Sequence, residues 1–248
     1  MRRICISLFF FLSLFGTAQA QGTPPAGSIM AEAKAATDAG DLVNAVELYK
    51  KAYANAEPHA AGQLARIYLE GAQGVPVDSH AAMEWAQKSA DAGETAGLLY
   101  LGKIWMDGRG VNPDIEKAEG YFHQADEAGD MKAARYIGLH ALEVKDFAEA
   151  VRWFKKGAEA GDITSQYHLG RAYELGEGVE KDFAAALQWY SKAAERGDFI
   201  ASDGMVGLAS LYEHGEGVPV DHAKAKELYQ KAADQGNVIA KMTLKFLK

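Results

Sequence analysis

Cysteine is almost missing from this chain. Cys5 is the only one among 248 residues, so no internal disulfide can staple the fold and no Cys-x-x-Cys pair can hold zinc. Positive charge is also in short supply. The 26 Lys and Arg stand against 34 Asp and Glu, a net charge of −8, which argues against the broad basic face that a nucleic-acid backbone demands. Proline is scarce, 6 residues against 26 glycines, and with 48% hydrophobic and 24% charged residues the balance is that of a folded globular chain rather than a disordered one. Nor is there an apolar run of about 20 residues, the length a membrane span requires.

The longest apolar stretch, Ile4 to Phe15, follows Arg2-Arg3 and precedes Gly16-Thr17-Ala18-Gln19-Ala20. A basic start, a short apolar run and small residues at Ala18 and Ala20 predict a secretory signal, residues 1–20, cleaved after Ala20. Cleavage removes Arg2, Arg3 and Cys5, leaving 24 basic against 34 acidic residues, a charge of −10, and no thiol. The expected product is a periplasmic or secreted protein held together by packing alone. Residues 21–28, rich in Gly, Pro and Ser, read as a flexible leader, and ordered structure is expected over 29–248.

From there the chain repeats itself. Asp41, Asp78, Asp114, Asp146, Asp182 and Asp221 are each followed four residues on by alanine: Ala45, Ala82, Ala118, Ala150, Ala186 and Ala225. Seven and eight residues on stand bulky pairs such as Trp153-Phe154 and Trp189-Tyr190. Eleven on, every residue is small, and fifteen on, five of six are glycine, Ala56 being the exception. Successive anchors lie 37, 36, 32, 36 and 39 residues apart, so one unit is copied with small insertions. The aspartate is placed to cap a helix N-terminus, an interaction worth about 1 kcal/mol. Positions +4, +7, +8 and +11 fall on one helical face, which predicts a buried stripe that takes in Trp85, Trp153 and Trp189. Glycine at +15 suits the left-handed turn that ends a helix.

A second helical pattern precedes each anchor: Leu64-Ala65 with Tyr68, Leu101-Gly102 with Trp105, Ile137-Gly138 with Ala141, Leu169-Gly170 with Tyr173, and Leu208-Ala209 with Tyr212. Between the two helices, Gly108-Arg109-Gly110-Val111, Gly176-Glu177-Gly178-Val179 and Gly215-Glu216-Gly217-Val218 predict a glycine turn whose valine tucks back. No strand precedes these Gly-x-Gly pairs and no third glycine follows at dinucleotide spacing, so they are not phosphate loops. The unit holding Asp221 has about three extra residues, expected around Ala201 to Val206.

The unit A-x-x-x-L-G-x-x-Y, G-x-G-V, D-x-x-x-A-x-x-W-Y-x-K-A-A-x-x-G resembles the Sel-one-like repeat (SLR), a relative of the tetratricopeptide repeat. The fullest copy runs from Ser165 to Gly197, and the resemblance extends from about Ser28 to the C-terminus. The first and fourth units lack G-x-G-V and look more like tetratricopeptide units. The resemblance implies an all-α fold, a right-handed α-solenoid of about six stacked antiparallel helix pairs with a C-terminal capping helix, its first helices lining a concave groove. It also implies a non-enzymatic scaffold for protein–protein interaction in the bacterial cell envelope, in signalling, envelope assembly or host contact. A cysteine-rich branch of such proteins is associated with β-lactam binding or hydrolysis, the alternative function, but its disulfide cysteines are missing from this chain.

Chemistry-bearing patterns do not stand out. There is no Ser-x-x-Lys or Lys-Thr-Gly of a serine acylation apparatus and no His-Glu-x-x-His. The seven histidines are spread over different units, so no catalytic residue, metal ligand or cofactor is assigned. His80 and His222, at one frame position, are expected to face solvent. The acidic residues flanking each helix-ending glycine, among them Glu127, Asp130, Glu159, Asp162, Glu195 and Asp198, read as solvated junctions. By analogy with tetratricopeptide units, the position after each L-G pair faces the groove. It holds Arg66, Lys103, Leu139, Arg171 and Ser210, with Arg135 and Tyr167 extending the row. Arg66, Lys103, Arg135, Tyr167 and Arg171 are therefore the candidate partner-binding residues, suited to an acidic or C-terminal peptide segment. The competing reading is that Arg and Lys are simply good helix formers at this site.

Overall fold

The structure, a computed structural model, describes residues 28–247. The predicted signal and all of the leader except Ser28 lie outside the described residues. Helices succeed one another with short turns: α1 (Ile29–Asp38), α2 (Leu42–Ala54), α3 (His59–Glu70), α4 (Ser79–Asp91), α5 (Thr95–Asp107), α6 (Ile115–Glu127), α7 (Met131–Glu143), α8 (Phe147–Glu159), α9 (Ile163–Leu175), α10 (Phe183–Ala194), α11 (Ser202–His214), α12 (His222–Asp234) and α13 (Val238–Leu244). They form six antiparallel pairs, α1–α2 through α11–α12, followed by the lone α13. The fold is the stacked helix-pair solenoid.

Each second helix starts where its aspartate stands. The carboxylates of Asp41, Asp78, Asp114, Asp146 and Asp221 accept from the backbone N–H three residues on, and Asp182 accepts from both Ala184 and Ala185. In the three Gly-x-Gly units, and in the unit whose turn is the one-residue-longer Gly71-Ala72-Gln73-Gly74-Val75, the same aspartate donates its own N–H to the carbonyl of the first helix's late aromatic: Tyr68, Trp105, Tyr173 and Tyr212, at 2.8–2.9 Å. One residue thereby ends one helix and begins the next. The +15 position has positive φ in every unit, 68° to 97° at the five glycines and 64° at Ala56.

Two glycine positions are fixed by packing. A Cβ on Gly102, Gly138 or Gly170 would lie 2.4–2.8 Å from the +8 ring of the same unit, Phe122, Phe154 or Tyr190. These rings lie across the bare backbone of the first helix, which is why L-G recurs. The second glycine of the turn, at Gly178, combines φ +74° with a Cβ position 2.1 Å from the Phe147 carbonyl at the start of α8, so no other residue fits there.

The +7 and +8 positions behave differently. Position +8 is buried at Tyr49, Ala86, Phe122, Phe154, Tyr190 and Tyr229. Position +7 lies at the edge of the stripe: Trp153 is buried, but Trp85 and Trp189 are only half-buried, which corrects the expectation that all three are core. The physical cause is angular, since +7 lies about 100° round the helix from the buried +8. Lys88, Lys156 and Lys192, three residues on, place their ammonium groups 4.1, 5.3 and 4.2 Å from the Trp85, Trp153 and Trp189 ring centroids.

Curvature follows from which helices touch. Successive first helices meet, α3 with α5, α7 with α9 and α9 with α11, while successive second helices make no comparable contact. The stack is tighter along its first helices, which therefore form the inner, concave side.

Candidate functional site

The inner face is built from one recurring register. Tyr100, Tyr136 and His168 each stand one residue before the L-G pair of α5, α7 and α9. The +8 ring of the preceding unit supports two of them from below: Phe122 stacks on Tyr136 with centroids 5.0 Å apart, and Phe154 stacks on His168 at 4.7 Å. In the next unit the supporting ring, Tyr190, is met instead by Gly207, whose Cβ would fall 2.6 Å from it. Aromatic groups thus recur at one register of three successive first helices, a feature that the spacing before L-G could have shown.

The five predicted binding residues stand near these groups in different states. Arg66 donates to Glu70 at 3.2 Å on its own helix. Its charge also reaches Tyr100, whose hydroxyl burial pushes up to about 12. Lys103 sits with its ammonium 5.8 Å from the Tyr136 ring. Arg135 is committed to structure: Nη1 donates to Asp162 at 3.0 Å and Thr164 at 3.4 Å, and Nη2 to the Tyr136 hydroxyl at 3.2 Å. Tyr167 lies 5.0 Å from His168 and 5.9 Å from Tyr190, and burial, with help from the Asp203 charge, raises its hydroxyl pKa. Arg171 borders a small cleft with Leu142, Phe147, Phe154, His168 and Glu177. Burial and then the Arg171 charge hold His168 down to about 4. Lys103 and Arg135 converge on Tyr136, and Tyr167 and Arg171 on His168, whereas Arg66 stands one repeat away beside Tyr100.

The acidic junctions are not uniformly solvated, and this corrects the sequence reading. Glu127, Glu159 and Glu195, before the glycine, are exposed, and Asp198 pairs locally with Arg196, but at four other junctions the residue after the glycine grips the preceding unit. Glu94 meets His59 Nδ1 at 2.6 Å, Thr95 donates to Asp130 at 2.7 Å, Arg135 to Asp162 at 3.0 Å, and Asn237 to Ser202 and Asp203 at 3.1 and 2.8 Å. Each such residue heads a first helix while holding the first helix one unit earlier, and Asp162 is buried. These contacts join partners 27–35 residues apart, beyond the reach of local periodicity. The extra residues of the last full unit also differ in place: they are Phe199 to Ala201, a turn ahead of α11, with Ala201 buried and Phe199 and Ile200 projecting outward.

Among the described residues no three His, Cys, Asp or Glu side chains converge as a metal site, and no helix is long and apolar enough to cross a membrane. His80 and His222 are exposed.

Comparison with known proteins accounts for this architecture. The Sel1 repeat model matches residues 37–56, 58–94, 95–130, 133–162, 163–198 and 202–237, largely tracking the helix pairs. A Sel1 repeat protein from Oxalobacter formigenes has a similar crystal structure, with 34% identity, a TM-score of 0.72, and 86% of this chain and 87% of that one covered. The protein c5321, a protective antigen of uropathogenic Escherichia coli with an SLR fold, is 29% identical with a TM-score of 0.53, over 82% of this chain and 51% of that one. A Neisseria meningitidis serogroup B protein, NMB1327, is 29% identical over 170 residues, 54% of this chain, and the match spans only 36% of that relative's length. Proteins built from such repeats are commonly protein–protein interaction scaffolds and generally non-catalytic. With six matched repeats across most of its length, this chain belongs to the Sel1 repeat family.

Proposed function

We propose that this chain is an exported, non-enzymatic scaffold of the bacterial cell envelope, and that its concave face holds a protein partner by an acidic or C-terminal peptide segment. The observation that carries the reading is a division among the groove cations. Arg66 and Arg135 have carboxylate partners, whereas among the described residues Lys103 and Arg171 form no ion pair within 4.0 Å. Both stand beside aromatic groups, Tyr136 and His168. Flanking rings reduce access of water, and a carboxylate brought there gains a stronger, charge-assisted bond than on an open surface. Arg66, Arg135 and Tyr167 stand beside the same register of aromatic groups. Export rests on Arg2-Arg3, the apolar run and Ala18-Gln19-Ala20.

The test is a double substitution, Lys103→Gln with Arg171→Gln, followed by crosslinking in intact cells and identification of the captured proteins. Loss of a saturable partner with unchanged helicity is expected, and an unchanged partner set would overturn the groove assignment. Fractionation with N-terminal sequencing tests export separately. A periplasmic or extracellular chain starting at Gln21 is expected, and a cytoplasmic chain that retains residues 1–20 would contradict it.

A further inference from the structure

The last helix and the inserted turn before α11 share a surface that the repeat frame does not account for. Phe199 is 67% exposed and Phe246 80%, and Ile200, Val238, Ile239 and Met242 are each more than half exposed. The two segments adjoin. The Asn237 amide, which opens α13, is bonded to Ser202 and Asp203 at the start of α11, and the Phe199 ring lies against Gly236. At about 100° per residue, α13 turns Ala240, Leu244 and Leu247 inward, and the turn continues through N–H bonds of Phe246 and Leu247 to Thr243 O. The outward arc carries Val238, Met242, Phe246 and Ile239 in its centre and far side, with Lys241 and Lys245 along one margin.

Charge singles out the occupant. The chain has a net charge of −8, yet residues 238–247 hold two lysines and no acid. Of the neighbouring acids, Asp198 is paired with Arg196 and Asp203 accepts from the Asn237 amide. Large apolar side chains bordered by lysines whose stems can lie along the apolar zone suit the boundary between lipid headgroups and acyl chains, and anionic headgroups supply the opposite charge. We propose that this end of the solenoid is a peripheral docking surface for an anionic lipid bilayer. Phe199, Ile200, Ile239, Met242 and Phe246 enter the interface, and Lys241 and Lys245 hold the headgroups. The groove is left open to its partner.

Cosedimentation of the chain, as recovered from producing cells, with phosphatidylcholine vesicles and with vesicles of equal phosphatidylcholine and phosphatidylglycerol tests the idea. All variants carry the same N-terminus, so its contribution is common to them. Binding to the anionic vesicles that weakens with salt is expected. Lys241→Gln with Lys245→Gln should weaken it roughly 25-fold, about fivefold per lysine, and Phe199→Ser with Phe246→Ser should abolish it at unchanged helicity. Equal binding to both vesicle types, or variants that bind like the parent, would overturn the proposal. So would serine variants that turn a dimer into a monomer without altering vesicle binding, because a second copy would then cover the patch.

Discussion

Arg135 on α7 donates to Asp162 at the head of α9, 3.0 Å away, with their side chains only 18% and 6% exposed. Asp162 also accepts from the Ser165 N–H and hydroxyl at 2.8 and 2.7 Å, so one carboxylate caps its own helix and ties down its neighbour. Asp162→Ala removes the cap and leaves the largely buried Arg135 guanidinium without its counter-charge. A loss of about 3 kcal/mol is expected, read by urea denaturation. A double-mutant cycle with Arg135→Gln should show strong coupling, whereas simple additivity would mean that the pair does not join the repeats.

Ala56 and Lys145 hold φ of 64° and 63°, the only non-glycine residues with positive φ among those described. Ala56→Gly and Lys145→Gly should each stabilise the fold by about 1 kcal/mol, because a Cβ strains the left-handed conformation. The shift in thermal midpoint measures this, and a fall at both sites would show that other contacts govern these turns.

Gly102→Ala should act in the opposite direction. Its new methyl would approach the Phe122 ring to 2.4 Å at the nearest carbon, and a ring stacked on Tyr136 has little freedom to retreat. About 2 kcal/mol of destabilisation is expected from overpacking. Gly129→Ala makes a useful contrast: its Cβ meets nothing within 4 Å, so the cost there is confined to the backbone, with φ at +87°.

His168 makes stability depend on acid. Its pKa falls from an ordinary 6.5 to about 4 in the folded chain, through burial first and then Arg171, with Arg135 acting in the same sense and Asp203 and Asp162 against it. The unfolded chain therefore takes up the proton first. This contribution is complete above pH 6.5, shrinks as the pH falls toward 4, and is lost below that, amounting to about 3 kcal/mol at most. His168→Phe should flatten unfolding free energy measured across that window, and an unaltered slope would exclude His168 as its source.

The local devices were legible from spacing alone. Each aspartate cap involves residues within three positions, and each +15 glycine answers a backbone requirement of its own turn. Trp85 and Trp189 were harder, because periodicity marks a stripe but not its edge, and +7 lies a full 100° from +8. Asp162, Asp130 and Glu94 could not be distinguished from ordinary surface acids, since their partners sit in another unit. For the same reason, charge alone did not separate Arg135, held by Asp162, from Lys103 and Arg171. The insertion expected around Ala201 to Val206 lies a few residues earlier, at Phe199 to Ala201, because Gly204 and Gly207, which look loop-like in sequence, lie within α11 under close packing.

Tyr190 is wedged between Gly170 of its own unit and Gly207 of the next, with its hydroxyl bonded to Glu174. The last two full units are therefore not interchangeable modules. A duplication or swap that brought a tyrosine or histidine, as at Tyr136 or His168, to the place of Gly207 would collide with that ring. These three residues must be inherited together, and any shuffling of units along this lineage has to cut elsewhere.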